Sequence, residues 1–289
     1  MRRASERARA KVNLTLRILG KRPDGYHELS SLVAFADISD VVEITLNEAA
    51  EFSVTGQFAG ALSRTDNLVM RAVEAFSYVW PGARDAAFKL CKQLPVAAGL
   101  GGGSADAAAV LRLLVRASPQ SVSPDEIARI AAELGSDVPV CMKSRAAIMR
   151  GRGEHVCPVT DFPALPAVLV NPAISLSTAE VFAALGAGPL TSDTEAEKPA
   201  LPAFTTPDDV IGCMEETGND LQAAAIGIAP AIGGALSSLE QMQGCALARM
   251  SGSGPTCFGI FRSGASADAA ARILAGTHPE WWVRKSILS

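Results

Sequence analysis

The clearest candidate for chemistry is a glycine-rich stretch near the middle of the chain, LPVAAGLGGGSADAA, residues 94–108. Gly99, Gly101, Gly102 and Gly103 lie within five positions, so the backbone can turn tightly and approach a ligand closely. The Ala- and Leu-rich run that follows predicts a helix. Because the first turn of a helix has unpaired N–H groups and a partial positive charge, this stretch is predicted to bind phosphate.

The residues after the glycines predict a helix with one buried face. Ala107, Ala108, Leu111, Leu114 and Val115 recur three or four positions apart, which is the spacing of an apolar stripe. The charged residues of this run fall off the stripe and are expected away from the buried face: Asp106, Arg112 and Arg116. A close turn packed on a neighbouring strand is the alternative explanation of the glycines.

Two familiar nucleotide loops do not fit this stretch. A Walker A loop needs a lysine before Ser or Thr, and no lysine lies between Gly99 and Asp106. In a dinucleotide fingerprint beginning at Gly99, Ser104 would occupy the closing position, and Pro95 argues against a central strand entering the loop. A phosphate loop of another type is favoured.

Alternation of apolar and polar residues predicts a strand over residues 11–19. Lys11 and Asn13 would share one face of it. From spacing alone, a solvated charge at a strand edge is the simpler interpretation of Lys11. The string PDG at residues 23–25 predicts a turn, and residues 31–44 are expected to form a further pair of strands.

Capping residues and periodicity place the other elements. Helices are expected at 66–80 with Asp66 as the N-cap, at 123–134 with Ser123 as the N-cap, from Ser177 or Thr178, from Asn219, and at 232–242 and 265–274. Strands are expected at 88–94, 146–149, 165–171, 246–250, 257–261 and 281–287.

The order of these motifs resembles that of the GHMP small-molecule kinases. The string PVAAGLGGGS from Pro95 matches the family's phosphate loop, and SGSGPT from Ser251 resembles its third motif. The similarity runs from about Ala10 to Phe261. It implies an α+β, two-domain GHMP kinase fold: residues 1–157 with a ribosomal protein S5 domain 2-like fold, and residues 158–289 with a ferredoxin-like α/β sandwich.

Three further strings narrow the resemblance: AKVNL from Ala10, GKRPDGYH from Gly20, and the pair Asp37 and Asp40. They are similar to family members that phosphorylate the 2-hydroxyl of 4-diphosphocytidyl-2-C-methyl-D-erythritol, in the non-mevalonate route to isoprenoid precursors. This implies ATP and a cytidine diphosphate-linked polyol as partners, with Mg²⁺ whose ligands the sequence does not identify. The string LGSDVP would place the general base on Asp137, with Lys11 orienting the reactants and stabilising charge.

The resemblance also implies the binding residues. For ATP they are Asn67, Lys92, Pro95, Val96, Ala97, Ala98, Gly99, Leu100, Gly101, Gly102, Gly103, Ser104 and Ala105. For the substrate they are Asn13, Tyr26, His27, Thr178 and Phe182. Without the resemblance, several have simpler interpretations: a turn or cap for Asp137, a cap for Asn67, a surface charge for Lys92 and a core position for Phe182.

Three other functions remain open at this point. A GHMP kinase of mevalonate, homoserine or a sugar would share the phosphate loop. A catalytically inactive nucleotide-binding regulator would share the fold, although Lys11 and Asp137 are both present. A dinucleotide-dependent dehydrogenase fits least, for the reasons given above.

Composition bounds the remaining choices. The 289 residues are 48% hydrophobic with a net charge of −4, so the chain can bury a large core and carries no overall basic field for nucleic acid or an anionic membrane.

The six dispersed cysteines form no metal-binding pattern and are expected to be reduced. With no leader peptide or membrane span in the sequence, a cytoplasmic protein, monomeric or weakly dimeric, is expected. Residues 186–209 are expected to form a surface loop.

Overall fold

The computed structural model describes residues 3–46, 49–62, 67–191 and 203–289. Within these ranges the chain forms eleven strands: β1 (Arg3–Asn13), β2 (Arg17–Lys21), β3 (His27–Leu46), β4 (Phe52–Thr55), β5 (Ala86–Cys91), β6 (Ala147–Gly151), β7 (His155–Pro158), β8 (Leu165–Asn171), β9 (Cys245–Met250), β10 (Cys257–Phe261) and β11 (Trp282–Leu288).

The same ranges contain nine α-helices: α1 (Leu68–Ser77), α2 (Gly102–Ala117), α3 (Pro124–Leu134), α4 (Val138–Lys143), α5 (Thr178–Leu185), α6 (Pro207–Thr217), α7 (Leu221–Ile228), α8 (Ala231–Glu240) and α9 (Gly264–Thr277). Short 3₁₀ turns cover Ala59–Ala61 and Pro81–Asp85. Helices and strands are mixed along the chain, which confirms the predicted α+β class.

The chain divides into two compact units that alternate along the sequence. Unit 1 consists of residues 1–11, 38–96 and 101–144, and unit 2 of residues 12–37, 97–100 and 145–289. The alternation arises because β1 and β3 each contribute residues to both units. This division does not follow the single boundary expected at residue 157, which therefore stays a prediction about the family's domains.

Unit 1 combines strands with a group of four helices. In it β5 pairs antiparallel with the second half of β3, Val41 opposite Cys91, and parallel with β4, Phe52 opposite Phe88. Helix α2 packs against α1 and α4. Its alanines have small side chains, so the neighbouring helices can come close. Nine of the ten residues from Ala105 to Leu114 are buried: Ala105, Asp106, Ala107, Ala108, Ala109, Val110, Leu111, Leu113 and Leu114.

The helix starts of unit 1 test the capping predictions. Ser123 caps α3 as predicted, because its side chain accepts a hydrogen bond from the Glu126 N–H. Helix α1 is shorter than expected: it begins at Leu68, capped by Asn67, and ends at Ser77. The predicted cap, Asp66, lies outside the described residues. A helix after Asp137, α4, was not predicted, because only six residues form it.

Unit 2 contains two strand groups. The first half of β3 pairs antiparallel with β2 and β6, and β6 continues as a hairpin into β7. Strands β11, β8, β10 and β9 form an antiparallel run in that order. Helices α8 and α9 cover this run. The core of the unit includes Val168, Val170, Leu236, Leu239 and Phe261.

The N-terminal strands differ from the prediction. β1 begins at Arg3 and ends at Asn13, and β2 starts only at Arg17. The ladder is interrupted because the N–H groups of Leu14 and Thr15 both donate to the Leu32 carbonyl. The expected pair of strands at 31–44 is instead the single strand β3, of 20 residues.

From residue 165 onward the predicted helices and strands agree closely with the observed ones, and β8 has the predicted bounds of Leu165–Asn171. Helix α6 and the four-residue strands β4 and β7 were not predicted. The six cysteines are free, as predicted. The loop expected at 186–209 ends earlier, because Thr206 caps α6; residues 192–202 lie outside the described part of the chain. Among the described helices, none has the length and apolar character needed to cross a membrane.

Candidate active site

The glycine loop leads into α2 as predicted, and its backbone explains the glycines. Gly99 and Gly101 have φ angles of +72° and +59°, a region that L side chains rarely adopt. Ala97 also has a positive φ, +53°, and α2 begins at the next glycine, Gly102. The N–H groups of this first turn are therefore available to an anion.

Gly99 contacts the SGSGPT segment that begins at Ser251, which also belongs to unit 2. The Ser251 hydroxyl donates to the Gly99 carbonyl at 2.8 Å and accepts the Asn13 N–H at 3.1 Å. A Cβ at Gly99 would overlap the Ser251 carbonyl oxygen and lie 2.8 Å from the Gly254 carbonyl oxygen. Only glycine fits at position 99, because a Cβ would clash with backbone atoms of Ser251 and Gly254 and because φ is positive.

Replacing Gly99 with alanine is expected to destabilise the protein by at least about 2 kcal/mol, since overpacking and backbone strain add. Urea unfolding of the variant measures the loss. Gly103→Ala is the matched control for stability, because the nearest atom to a Cβ there is 3.6 Å away and alanine favours a helix. Equal stability of the two variants would contradict the steric argument.

Lys11 and Asp137 lie together in unit 1, although 126 positions separate them in sequence. The Lys11 Nζ is 3.3 Å from the Asp137 Oδ2, and the lysine side chain is only 4% exposed. The interpretation of Lys11 as a solvated edge charge is therefore wrong. Asp137 precedes α4 but its side chain makes no capping hydrogen bond, so its 36% exposed carboxylate faces outward beside the lysine.

The loop glycine Gly101 lies against this pair. A Cβ built on Gly101 would be 3.1 Å from the Lys11 Cε and 3.7 Å from the Asp137 Oδ2. The start of α2, an ammonium group and a partly exposed carboxylate thus converge in one unit. That combination can hold an anion and take up a proton beside it.

Lys92 is buried instead of lying on the surface. Its Nζ donates to Asp40 Oδ2 and Asp106 Oδ2, each at 2.6 Å, and the residue is 1% exposed. Burial by itself would lower the pKa of Lys92, but the Asp106 and Asp40 carboxylates raise it above the ordinary value. Asp106 was expected away from the buried face of α2. It is buried because its carboxyl group pairs with the Lys92 ammonium group.

Asn67 accepts the Met70 N–H as the cap of α1 and is 8% exposed. Its cap role is thus observed, whereas its contact with ATP, like that of Lys92, stays a prediction. A nucleotide contact at Lys92 would have to form beside the two carboxylates that already hold its ammonium group.

The residues expected to bind substrate all lie in unit 2. The rings of His27 and Phe182 are 4.7 Å apart, centroid to centroid, tilted by 31°, and the Thr178 and Ser253 hydroxyls are 2.8 Å apart. Tyr26 is 52% exposed. Asn13 is buried, and its side-chain amide donates to Ser31 at 2.8 Å.

His27 can act as a neutral hydrogen-bonding group. Burial and the positive charge of Lys21 lower its pKa below the ordinary value. A neutral imidazole has one donor and one acceptor nitrogen. Paired with the Phe182 ring, it offers an apolar face and a hydrogen-bonding edge, which suits a heterocyclic base.

Three residues of these clusters have roles that sequence analysis did not assign. Arg152 places its guanidinium 4.6 Å from the centroid of the Tyr26 ring, Ser251 connects Gly99 to Asn13, and Asp40 holds Lys92. The signals were weak: Arg152 and Ser251 lie in glycine-rich turns, and Asp40 was noted only as part of a motif.

Family models match both parts of the chain. The model described as "GHMP kinases N terminal domain" matches residues 67–145, and the one described as "GHMP kinases C terminal" matches residues 200–279. A 4-diphosphocytidyl-2-C-methyl-D-erythritol kinase of Methylorubrum extorquens is 47% identical over 98% of both chains. This chain belongs to that kinase family. A relative of the same name from Parvibaculum lavamentivorans is also 47% identical, over 98% of this chain and 97% of its own.

Solved structures agree with membership of the GHMP kinase family. A crystal structure of a 4-(cytidine 5'-diphospho)-2C-methyl-D-erythritol kinase, 29% identical, matches with a TM-score of 0.78 over 99% of each chain. Homoserine kinase from Cytophaga hutchinsonii, 15% identical, matches with a TM-score of 0.70 over 99% of this chain and 95% of its own, which shows a shared fold alone. The predicted two-domain GHMP kinase fold is confirmed, and the chain is an ATP-dependent small-molecule kinase.

Proposed function

We propose that this kinase transfers the γ-phosphoryl group of ATP to the 2-hydroxyl of 4-diphosphocytidyl-2-C-methyl-D-erythritol. The observation that carries the proposal is the Lys11 and Asp137 pair, 3.3 Å apart beside the first turn of α2. The substrate comes from the names of relatives that are 47% identical over nearly the whole chain. Their names and the local chemistry point to the same reaction.

The phosphate loop would hold the nucleotide through its backbone. Residues 95–105 run into α2, so successive amides and the positive end of the helix would face the β- and γ-phosphates. Phosphoryl transfer has a loose transition state in which the protein mainly positions reactants and neutralises charge. Fixed main-chain dipoles suit that task because they need no reorganisation.

Asp137 would act as the general base. Its carboxylate is the more exposed member of the pair and would accept the proton of the 2-hydroxyl as the oxygen attacks phosphorus. Lys11, whose side chain is only 4% exposed, would orient Asp137 and offset the charge that develops on the phosphoryl oxygens. The buried stem of Lys11 restricts its rotamers, so the ammonium group is held in place.

Mg²⁺ is expected with ATP, where it would offset the negative charge of the phosphates. No group of three or more His, Cys, Asp or Glu side chains that could hold a metal occurs among the described residues. Proteins commonly hold Mg²⁺ through one or two side chains together with substrate phosphates and water. The Ser104 hydroxyl, in the first turn of α2, would serve either a phosphate oxygen or the ion.

An ATP-dependent phosphorylation assay over a set of acceptors tests the proposal. The set includes the cytidyl substrate, mevalonate, homoserine and simple sugars, with ADP release and ³¹P NMR of the product as readouts. The cytidyl compound is expected to be the preferred acceptor by kcat/KM. Preference for another acceptor would overturn the substrate, and no turnover with any acceptor would favour a nucleotide-binding regulator.

Unit 2 is expected to bind the cytosine end of the substrate and to distinguish it from other bases. Tyr26 and Phe182 would supply flat faces, while His27 and Asn13 would supply hydrogen bonds to the exocyclic amine and ring acceptors. We expect the UDP-linked analogue to bind at least about tenfold more weakly than the CDP-linked substrate, because a mismatched buried hydrogen bond costs 1–3 kcal/mol. Isothermal titration measures both affinities; equal values would contradict recognition of the base.

A further inference from the structure

Three charged side chains are buried together beneath the start of α2 in unit 1. Asp40, Lys92 and Asp106 are each at most 1% exposed, and the lysine Nζ lies 2.6 Å from one oxygen of each carboxylate. A Cβ on Gly102, the first residue of α2, would lie 3.2 Å from that Nζ. If all three groups were ionised, a net negative charge would be buried under the phosphate loop.

The hydrogen-bond donors are divided unequally between the two carboxyl groups. Asp40 Oδ1 accepts the N–H groups of Gln93 at 2.5 Å and Leu94 at 2.8 Å, and its Oδ2 accepts Lys92. Asp106 Oδ2 accepts only Lys92, and within the described part of the chain its buried Oδ1 has no hydrogen-bond partner. Donors stabilise an ionised carboxylate, so Asp40 is the better site for the charge.

We propose that Asp106 is a protonated, neutral carboxylic acid in the folded protein and thereby acts as a positioning residue for ATP. Lys92 and Asp40 then form a neutral ion pair, and no net charge opposes phosphate at the α2 N-terminus. The proton would lie on Oδ1, because Oδ2 accepts the Lys92 ammonium. The buried Oδ1 fits this state, because a neutral hydroxyl costs less to bury without a partner than a charged oxygen. The link to ATP rests on the proposed function, whereas the protonation state does not.

The surroundings of Asp106 favour the neutral form. Burial, together with the Asp40 carboxylate, raises its pKa from the ordinary 3.8 to about 8, against the opposing effect of Lys92. From α4, the buried Cys141 thiol faces it with a pKa raised far above neutrality, so that group is uncharged. The acidic residues of α1 and α3 lie at the surface: Glu74 pairs with Arg84, Glu126 and Glu133 pair with Arg129, and Asp125 is exposed.

Asp106→Asn tests the protonation state without reference to activity. If folding keeps a proton that the unfolded chain releases, stability must fall as pH rises from about 4 to 8. The unfolding constant of the wild type, relative to Asp106→Asn, should then increase by up to about tenfold per pH unit in that window. Urea unfolding at several pH values measures the ratio, and a ratio independent of pH would overturn the proposal.

Two comparisons make this test specific. Asp268→Asn removes an exposed aspartate that pairs with Lys285 and should show little of that slope. Asp40→Asn should be far less stable than Asp106→Asn, because Asp40 accepts the greater number of hydrogen bonds; the reverse order would place the proton on Asp40 and overturn the assignment.

If Asp106→Asn fails to fold, a ¹³C-aspartate NMR titration of the wild type should still show one carboxyl group titrating at a pH well above the others. The absence of such a group would overturn the proposal.

The consequence for ATP is measured separately. Above pH 8 the wild type should lose its proton, and its KM for ATP should rise by about threefold or more relative to Asp106→Asn. Near pH 7, where most of the wild type keeps its proton, the KM ratio should be smaller than above pH 8. A KM ratio that does not change with pH, despite the expected unfolding data, would overturn the role in positioning ATP and leave the kinase function standing.

Discussion

Asp137→Asn is expected to lower kcat by about 10²–10⁴-fold, the usual contribution of a general base. Asparagine keeps the size of the side chain but cannot accept the proton of the acceptor hydroxyl. Because Asp137 makes no capping hydrogen bond and its side chain is 36% exposed, the unfolding midpoint should change little. Steady-state kinetics with ATP and the cytidyl substrate, together with thermal unfolding, check both halves of this expectation.

Substitution of Lys11, the other member of the pair, tests the same phosphoryl-transfer step. Lys11→Ala is expected to lower kcat at least about tenfold, since charge on the phosphoryl group would lose its ammonium neighbour. The lysine stem is buried, so Lys11→Met is the better variant: it fills the space and limits the loss of stability to packing differences. Lys89→Met, an exposed lysine on β5, is the control. Near-normal turnover in Asp137→Asn or Lys11→Met would remove that residue from the mechanism.

The second large effect is expected in stability. Lys92→Met should destabilise the protein by about 3–5 kcal/mol, because it removes the ammonium group that joins two buried carboxyl groups. The Lys92 Nζ lies 2.6 Å from one oxygen of each carboxyl group, and all three side chains are buried. Urea unfolding of Lys92→Met, compared with Lys89→Met, measures the loss.

A combined variant separates charge from packing. In Lys92→Met with Asp40→Asn and Asp106→Asn, none of the three titratable groups of this cluster remains, and the asparagine oxygen at 40 can still accept the Gln93 and Leu94 N–H groups. This variant should regain part of the stability lost in Lys92→Met alone. If it is no more stable, the buried charges are not the cause of the destabilisation.

Local signals predicted much of the fold. The glycine loop, the start of α2, the Ser123 cap and the bounds of β8 follow from residues adjacent in sequence, because backbone freedom, capping and alternation are local properties. The errors lie where pairing overrides local pattern. β1 extends back to Arg3, among charged residues that no apolar alternation marks as a strand, because it pairs with β3.

The candidate site shows the same division. The resemblance to GHMP kinases indicated Lys11 and Asp137, although spacing alone favoured a surface charge and a turn. Asp106 was misplaced because helical periodicity treats a charged residue as exposed, and only a distant partner can make its burial favourable. Lys92 is that partner, and Asp40, 52 positions from Lys92 in sequence, completes the cluster.

The sequence by itself therefore determined the glycine loop, most helices and strands, and, through the resemblance, the family and its class of reaction. Tertiary structure alone decided which charges are buried, which are paired and which carboxylate stays open to solvent beside Lys11. The physical reason is that periodicity and capping act over a few residues, whereas desolvation and ion pairing depend on neighbours that folding brings from distant parts of the chain.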